Sequence, residues 1–210
     1  MYLRSSDPAM KRKCIFCDSS KSLSNEHIFP VWLLNEYGLT NEMFAGHYVN
    51  IDTFEPVNKS RTMNYNNFKN GLVCRECNNG WMSELESKAI PILKPIMSLA
   101  PDSLAILVGN QQLLSKWIYK TAYVLSYGAN YRKIVPLAHG REFMMGSIPS
   151  GVSIDVGFIN TLDYLVLQYH LTSKCNVVTA RDKFSEYNSV SNEPYIITLK
   201  LNKLLVRVNL

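Results

Sequence analysis

The chain has 210 residues, a formal net charge of +5 and a hydrophobic fraction of 47%, which suits one or two small domains with a packed core. No apolar run approaches the roughly 18 residues of a membrane span, so we expect no membrane partner. Residues 1–13 are polar and basic and lack the apolar centre of a secretory signal, so we expect a cytoplasmic protein whose thiols stay reduced.

The first elements of the chain are short. Residues 26–29 predict a strand that stops at Pro30, because proline cannot donate a hydrogen bond to a strand ladder. Residues 31–36 predict a helical turn that carries apolar side chains into the core. Residues 37–69 show no sustained period and predict a long loop with one short strand at most. A second strand at residues 72–73 then leads directly into Cys74.

The pattern becomes helical after Cys77. We predict that this helix ends or breaks at Pro91 and Pro95, and we place a domain boundary after residue 90. The clearest helix of the chain is predicted for residues 111–127, with an apolar stripe and a C-terminal cap at Gly128. From residue 153 onward the pattern predicts strands, with a hairpin turn at Asn202. The predicted strands are 153–159, 164–171, 176–179, 195–201 and 204–208.

The basic excess lies in the second part of the chain. Residues 1–88 contain ten Lys and Arg and ten Asp and Glu, whereas residues 89–210 contain twelve and seven. This distribution permits a polyanion partner. A homo-oligomer or a protein partner that binds through residues 91–210 stays an open alternative.

Four cysteines form two Cys-x-x-Cys pairs, Cys14 with Cys17 and Cys74 with Cys77. In a reducing compartment this spacing favours a metal site over disulfides. Four thiolates complete the tetrahedral shell of zinc and leave no open position, so we predict a structural zinc. Two unrelated pairs, one of them redox-active, are the alternative. We expect the fifth cysteine, Cys175, to be a passive core residue.

A Glu26-His27-Ile28-Phe29-Pro30 segment follows the first cysteine pair, and Asn70 precedes the second pair, which Asn78 and Asn79 follow directly. With the four cysteines, this combination resembles the HNH endonuclease family in its zinc-bound form, over residues 14 to about 88. The family has a ββα-metal fold. Glu26 stands where the family usually has Asp, and Asn78 stands where many members have His.

The resemblance implies roles for four residues. His27 would be the general base, and Glu26 and Asn78 would hold a catalytic Mg²⁺ or Mn²⁺. Asn70 would brace the loop and orient the histidine. Asn79 is an alternative to Asn78 as the metal ligand. His47 is a weaker candidate for contact with the substrate.

The resulting prediction is an α+β protein. Residues 1–90 would form a zinc-stabilised ββα-metal domain, and residues 91–210 a small α+β accessory domain with an antiparallel sheet. The resemblance implies an endonuclease that hydrolyses DNA and leaves a 5′-phosphate, of a kind found in phage and bacterial defence systems. The alternative is a catalytically inactive zinc-stabilised protein that binds nucleic acid or a defence complex.

Overall fold

A computed structural model describes residues 12–46, 61–128, 135–160, 165–171 and 195–210. The protein is α+β, with helices and small antiparallel sheets. A 3₁₀ turn covers Tyr65–Asn67, and a π-helical turn covers Asn78–Met82. The helices are α1 Val31–Glu36, α2 Arg75–Cys77, α3 Ser83–Ser98, α4 Ser103–Gly109, α5 Gln111–Gly128 and α6 Leu137–Met144. The strands are β1 Leu23–His27, β2 Met43–Gly46, β3 Arg61–Asn64, β4 Lys69–Cys74, β5 Ser153–Phe158, β6 Leu165–Leu171, β7 Tyr195–Leu201 and β8 Leu204–Asn209.

The first sheet is the antiparallel pair β1 and β4. Glu26 pairs with Asn70 and His27 pairs with Lys69, and a bulge interrupts the register between Ser24 and Glu26. A bulge bends and twists its strand, so it changes where the following side chains point. The strand ends at His27, so the predicted strand over residues 26–29 lies about three residues too late in the sequence.

Helix α3 runs through both of its prolines. The predicted break at Pro91 and Pro95 is therefore wrong. An interior proline costs a helix about 3 kcal/mol, but α3 buries Leu93, Ile96 and Met97 on one face, and each such side chain contributes about 1.5–3 kcal/mol. Burial offsets the backbone cost, and the helix continues to Ser98.

Helix α5 lies at the centre of the molecule, and its residues 117–127 are buried on every side. Phe16, from the first cysteine turn, packs against Tyr123 of α5 with ring centroids 5.2 Å apart, and it meets Trp81 edge to face at 5.0 Å. Trp81 in turn contacts Phe143 of α6 at 5.7 Å. The aromatic contacts therefore join residues from both predicted domains.

The second sheet has the strand order β5-β8-β7-β6 and is antiparallel throughout. The turn between β7 and β8 contains Asn202 at φ 53°, a left-handed conformation that asparagine tolerates better than most residues. This confirms the predicted hairpin. The predicted strand at residues 176–179 lies outside the described residues, as does Cys175.

The loop predicted for residues 37–69 contains two paired strands, β2 and β3, rather than one short strand at most. The predicted boundary after residue 90 falls inside α3, and one continuous buried core extends from Cys14 to Val208; the division into two domains stays a prediction. Across the described ranges, none of the helices is both long and apolar enough to cross a membrane.

Candidate metal centre and the adjoining polar site

The four cysteines of the two pairs meet at one point. The Sγ atoms of Cys14, Cys17, Cys74 and Cys77 all lie within 4.8 Å of one another. Cys14 and Cys17 flank a turn, Cys74 ends β4, and Cys77 ends α2. All four are free thiols, and three of them are buried. The predicted four-cysteine site is confirmed as a cluster that can hold zinc.

Backbone hydrogen bonds hold the two cysteine turns together independently of any ion. The Ile15 N–H donates to the Leu72 carbonyl at 2.9 Å, and the Arg75 N–H donates to the Ser22 carbonyl at 2.9 Å. Within the first turn, the Asp18 N–H donates to the Cys14 carbonyl, also at 2.9 Å. These bonds bring the backbone of the two turns together around the thiols.

The surroundings of the thiols fit zinc. Burial raises the pKa of Cys74 to about 12 and raises that of Cys77 above its usual range, so uncompensated thiolates are unfavourable there. The indole N–H of Trp81 is buried and makes no hydrogen bond in the described parts of the chain, and the indole lowers the pKa of Cys77. A buried donor near a ligating sulfur is available to a zinc-bound thiolate. Four thiolates would hold a closed, structural zinc.

Glu26 and Asn78 belong to the two segments beside this cluster. They are 52 positions apart in the sequence, and the Asn78 carboxamide lowers the pKa of the Glu26 carboxyl. Asn78 Nδ2 donates to Ser24 Oγ at 3.2 Å. Ser24 and Glu26 are two positions apart on β1, and alternate residues of a strand share a face. With Nδ2 donating to Ser24, Oδ1 is the atom of Asn78 left to bind a cation. Asn79 is exposed.

The carboxylate of Glu26 is half-buried. Its pKa is raised, chiefly by burial; the Glu86 carboxylate also raises it, whereas the Lys120 ammonium and the Asn78 carboxamide lower it. One carboxylate oxygen and one carboxamide oxygen are hard ligands of the kind that Mg²⁺ and Mn²⁺ prefer. The pair therefore fits a divalent cation chemically.

His27 faces a different partner. Its Nε2 lies 3.0 Å from Oδ1 of Asn66 in the 3₁₀ turn, and Asn66 is itself held by a 2.7 Å hydrogen bond from its N–H to Asn64 Oδ1. With Oδ1 as the acceptor, Nε2 carries the proton and Nδ1 is left as the basic nitrogen. Across the described residues, no hydrogen bond links His27 to Glu26 or Asn78. Sequence reasoning missed Asn66, although the run Asn64-Tyr65-Asn66-Asn67 was a visible turn signal.

The hydrogen bonds of Asn70 lead away from His27. The side chain is 1% exposed; its Nδ2 donates to the Val124 carbonyl of α5 at 2.8 Å, and its Oδ1 accepts from the Leu72 N–H at 2.8 Å. Asn70 thus connects β4 to α5. Its Oδ1 also satisfies the Leu72 N–H at the point where the bulge interrupts the ladder between β1 and β4. The other weak candidate, His47, lies outside the described residues.

A buried lysine and its half-buried carboxylate partner were not predicted. Lys120 of α5 is 2% exposed and lies 2.8 Å from Oε2 of Glu86 on α3, which is 18% exposed. The other Glu86 oxygen accepts a hydrogen bond from the Trp32 indole. The sequence contains little indication of this pair. Residues 117–127 of α5 are all buried, so no pattern of buried and exposed positions sets Lys120 apart.

Comparisons with protein-family models, with curated proteins and with solved structures give no match. The resemblance to HNH endonucleases therefore depends on the motif residues themselves. What the structure adds is the four-thiol cluster and the hydrogen bond that joins Asn78 to Ser24 of β1 beside it.

Proposed function

We propose that this protein is a metal-dependent endonuclease of the HNH type that hydrolyses DNA phosphodiester bonds. The observation that supports this proposal is the hydrogen bond from Asn78 Nδ2 to Ser24 Oγ at 3.2 Å, which joins the Asn78 turn to β1 two positions from Glu26, next to a four-cysteine cluster. Glu26 and Asn78 are the side chains that the motif assigns to the catalytic cation, and the general base that it assigns, His27, is adjacent in sequence.

The chemistry follows from the side chains. A phosphodiester needs a nucleophilic water and relief of the charge that develops on the phosphate. His27 Nδ1 would take the proton of the water, while Asn66 holds the ring through Nε2. Burial, together with the Lys69 charge, lowers the pKa of His27, so the ring stays neutral and ready to accept a proton at pH 7. A divalent cation, when bound by Glu26 and Asn78, would supply Lewis-acid stabilisation of the phosphate and leaving oxygens.

Lys69 would contact the DNA backbone. It pairs directly with His27 across the β1–β4 sheet, and side chains opposite each other in an antiparallel pair have Cβ atoms about 5 Å apart. Lys69 is also exposed. Lys69→Gln should reduce the slope of log affinity against log salt by about 1, whereas Lys88→Gln, an exposed lysine on α3, should leave it unchanged. An equal slope in the two variants would contradict a phosphate contact at Lys69.

One observation favours a second function, a zinc-stabilised protein that binds nucleic acid without cutting it. His27 is hydrogen-bonded to Asn66 rather than to either proposed cation ligand. If Nδ1 of the ring held by Asn66 faces away from the cation that Glu26 and Asn78 would bind, the protein would bind DNA without nicking it.

A plasmid-nicking assay with Mg²⁺ or Mn²⁺ distinguishes the two functions. We expect the parent to nick, His27→Ala to lose about 10²–10⁴-fold in rate, and Asn78→Ala to lose a similar factor. Asn79→Ala is the matched control, since its side chain is exposed on the same turn. Retained nicking by His27→Ala would refute the catalytic assignment, and DNA binding without nicking by the parent would establish the second function.

A further inference from the structure

Cys17 differs from the other three thiols of the cluster in its access to solvent. Cys14, Cys74 and Cys77 are 3%, 0% and 4% exposed, whereas Cys17 is partly exposed. Exposure and thiolate character together decide which cysteine of a protein is oxidised, and the sulfurs of a four-cysteine zinc site are thiolates. An oxidant that arrives from solvent therefore meets Cys17 first.

A thiol of the other pair lies in contact with Cys17. The Sγ atoms of Cys17 and Cys74 are 3.5 Å apart, although the two residues are separated by 57 positions in the sequence. Four sulfurs at the corners of a tetrahedron, each about 2.3 Å from zinc, are about 3.8 Å apart, so bound zinc is compatible with this contact. Cys17 and Cys74 are thus an exposed thiol and a buried thiol within reach of each other.

Contacts that do not involve sulfur hold the two segments side by side. The Ile15 N–H donates to the Leu72 carbonyl at 2.9 Å, which joins the first cysteine turn to β4. The ring of Phe16, inside the same turn, packs against Tyr123 of α5 with centroids 5.2 Å apart. A bond between two sulfur atoms would leave these contacts in place.

The charge on the exposed side of the first turn favours attack at Cys17. Asp18 directly follows Cys17, and its carboxylate lies 3.1 Å from the Lys13 ammonium and 3.5 Å from the Arg141 guanidinium. Two cations and one carboxylate leave one net positive charge beside this turn. Reactive cysteines lie in partly exposed, electropositive surroundings of this kind, where positive charge stabilises the negative charge that develops on a leaving oxygen.

We infer that Cys17 is an oxidation site for hydroperoxides, and that Cys74 resolves it as a disulfide that joins the two Cys-x-x-Cys pairs. The inference depends on the four-thiol cluster and not on cleavage of DNA. It differs from the usual oxidation of a Cys-x-x-Cys motif, in which the two cysteines of one motif bond to each other.

The reaction has two steps. The Cys17 thiolate attacks the terminal oxygen of the hydroperoxide; a sulfur–oxygen bond forms, the oxygen–oxygen bond breaks, and the other oxygen takes a proton from solvent and leaves as water or an alcohol. The sulfur is oxidised to a sulfenic acid, and the peroxide is reduced by the same two electrons. The Cys74 thiolate then attacks the Cys17 sulfur, the disulfide forms, and hydroxide leaves. Two thiolates remain, which are too few for a structural zinc site.

Peptide mapping of the full-length, zinc-loaded protein after treatment with hydrogen peroxide tests this. Cleavage after lysine and arginine separates the cysteines of the second pair. The relevant peptides are 14–21 with Cys14 and Cys17, 70–75 with Cys74, and 76–88 with Cys77. We expect peptide 14–21 linked to peptide 70–75 under non-reducing conditions, with fragmentation that places the bond at Cys17.

Release of zinc, followed with a chromophoric chelator, is the second measurement. We expect one zinc released for each disulfide formed, and recovery of four thiols with dithiothreitol and zinc. Replacing both cations, Lys13→Gln with Arg141→Gln, should slow the release about threefold or more. Lys88→Gln, an exposed lysine on α3, is the matched control and should react like the parent.

Several results would overturn the inference. They are a disulfide within peptide 14–21, a link from that peptide to 76–88, and release of zinc without any disulfide. A zinc-loaded protein that keeps all four thiols, under peroxide that oxidises the zinc-free chain, also overturns it. A double charge variant that reacts as fast as Lys88→Gln would contradict Cys17 as the thiol attacked first. None of these measurements uses DNA, so a protein that fails to nick DNA leaves the test intact.

Discussion

Replacing Asn70 by alanine should destabilise the protein more than a typical substitution. The side chain is 1% exposed and makes two hydrogen bonds of 2.8 Å, one to the Val124 carbonyl and one from the Leu72 N–H. The bulge in β1 disturbs the ladder opposite Leu72, so alanine would leave that N–H without its acceptor. Leaving a donor unsatisfied costs about 1–3 kcal/mol, and the lost bond to Val124 adds about 0.5–1.5 kcal/mol.

The expected loss for Asn70→Ala is therefore about 1.5–4.5 kcal/mol in the free energy of unfolding. For a chain of this size, that corresponds to a decrease in Tm of roughly 3–18 °C. Denaturant unfolding of the zinc-loaded protein measures the free energy, and calorimetry measures Tm. Asn67→Ala is the matched control, because Asn67 is exposed in the neighbouring 3₁₀ turn. A loss below about 1 kcal/mol for Asn70→Ala, equal to that of the control, would refute the assignment of Asn70 as the connection between β4 and α5.

Three other predictions follow from the same contacts. Removal of zinc by a chelator should lower Tm and increase hydrogen exchange in α5 as well as near the four thiols, because one core includes both; unchanged exchange in α5 would favour two independent domains. Gly140→Ala should cost about 1–3 kcal/mol, since a Cβ there would lie 2.5 Å from the Ile15 carbonyl oxygen, whereas Gly109→Ala meets no atom within 4 Å and should be close to neutral. Burial, with Lys69, lowers the pKa of His27 in the folded state. The contribution of His27 to the free energy of unfolding is therefore fully present above the pKa of the unfolded chain, about 6.5, and is lost as the pH falls through the folded pKa. An NMR titration that places the folded pKa above about 6.5 would contradict this.

Several features follow from local sequence alone. Each Cys-x-x-Cys pair forms a small turn whose geometry depends on neighbouring residues, so the four-cysteine site was predictable, and the structure confirms it. Helix α5 and the β7–β8 hairpin were also predicted closely, because an apolar stripe and alternating strands are repeated local patterns. For the candidate site, the motif identifies Glu26 and Asn78 as cation ligands, and this assignment stays a prediction.

Other features were settled only in three dimensions. The sequence shows two prolines that ordinarily end a helix, yet α3 continues because its buried face gains more than the backbone loses. Asn66 became the partner of His27 because β4 and the 3₁₀ turn bring together residues 39 positions apart. Lys120 and Glu86 carry no local signature at all; a charge becomes buried and paired only when distant helices pack around it. The types of residue needed for the site were therefore determined by the sequence, whereas their partners and charges were decided by tertiary packing, since long-range contacts have no counterpart in local pattern.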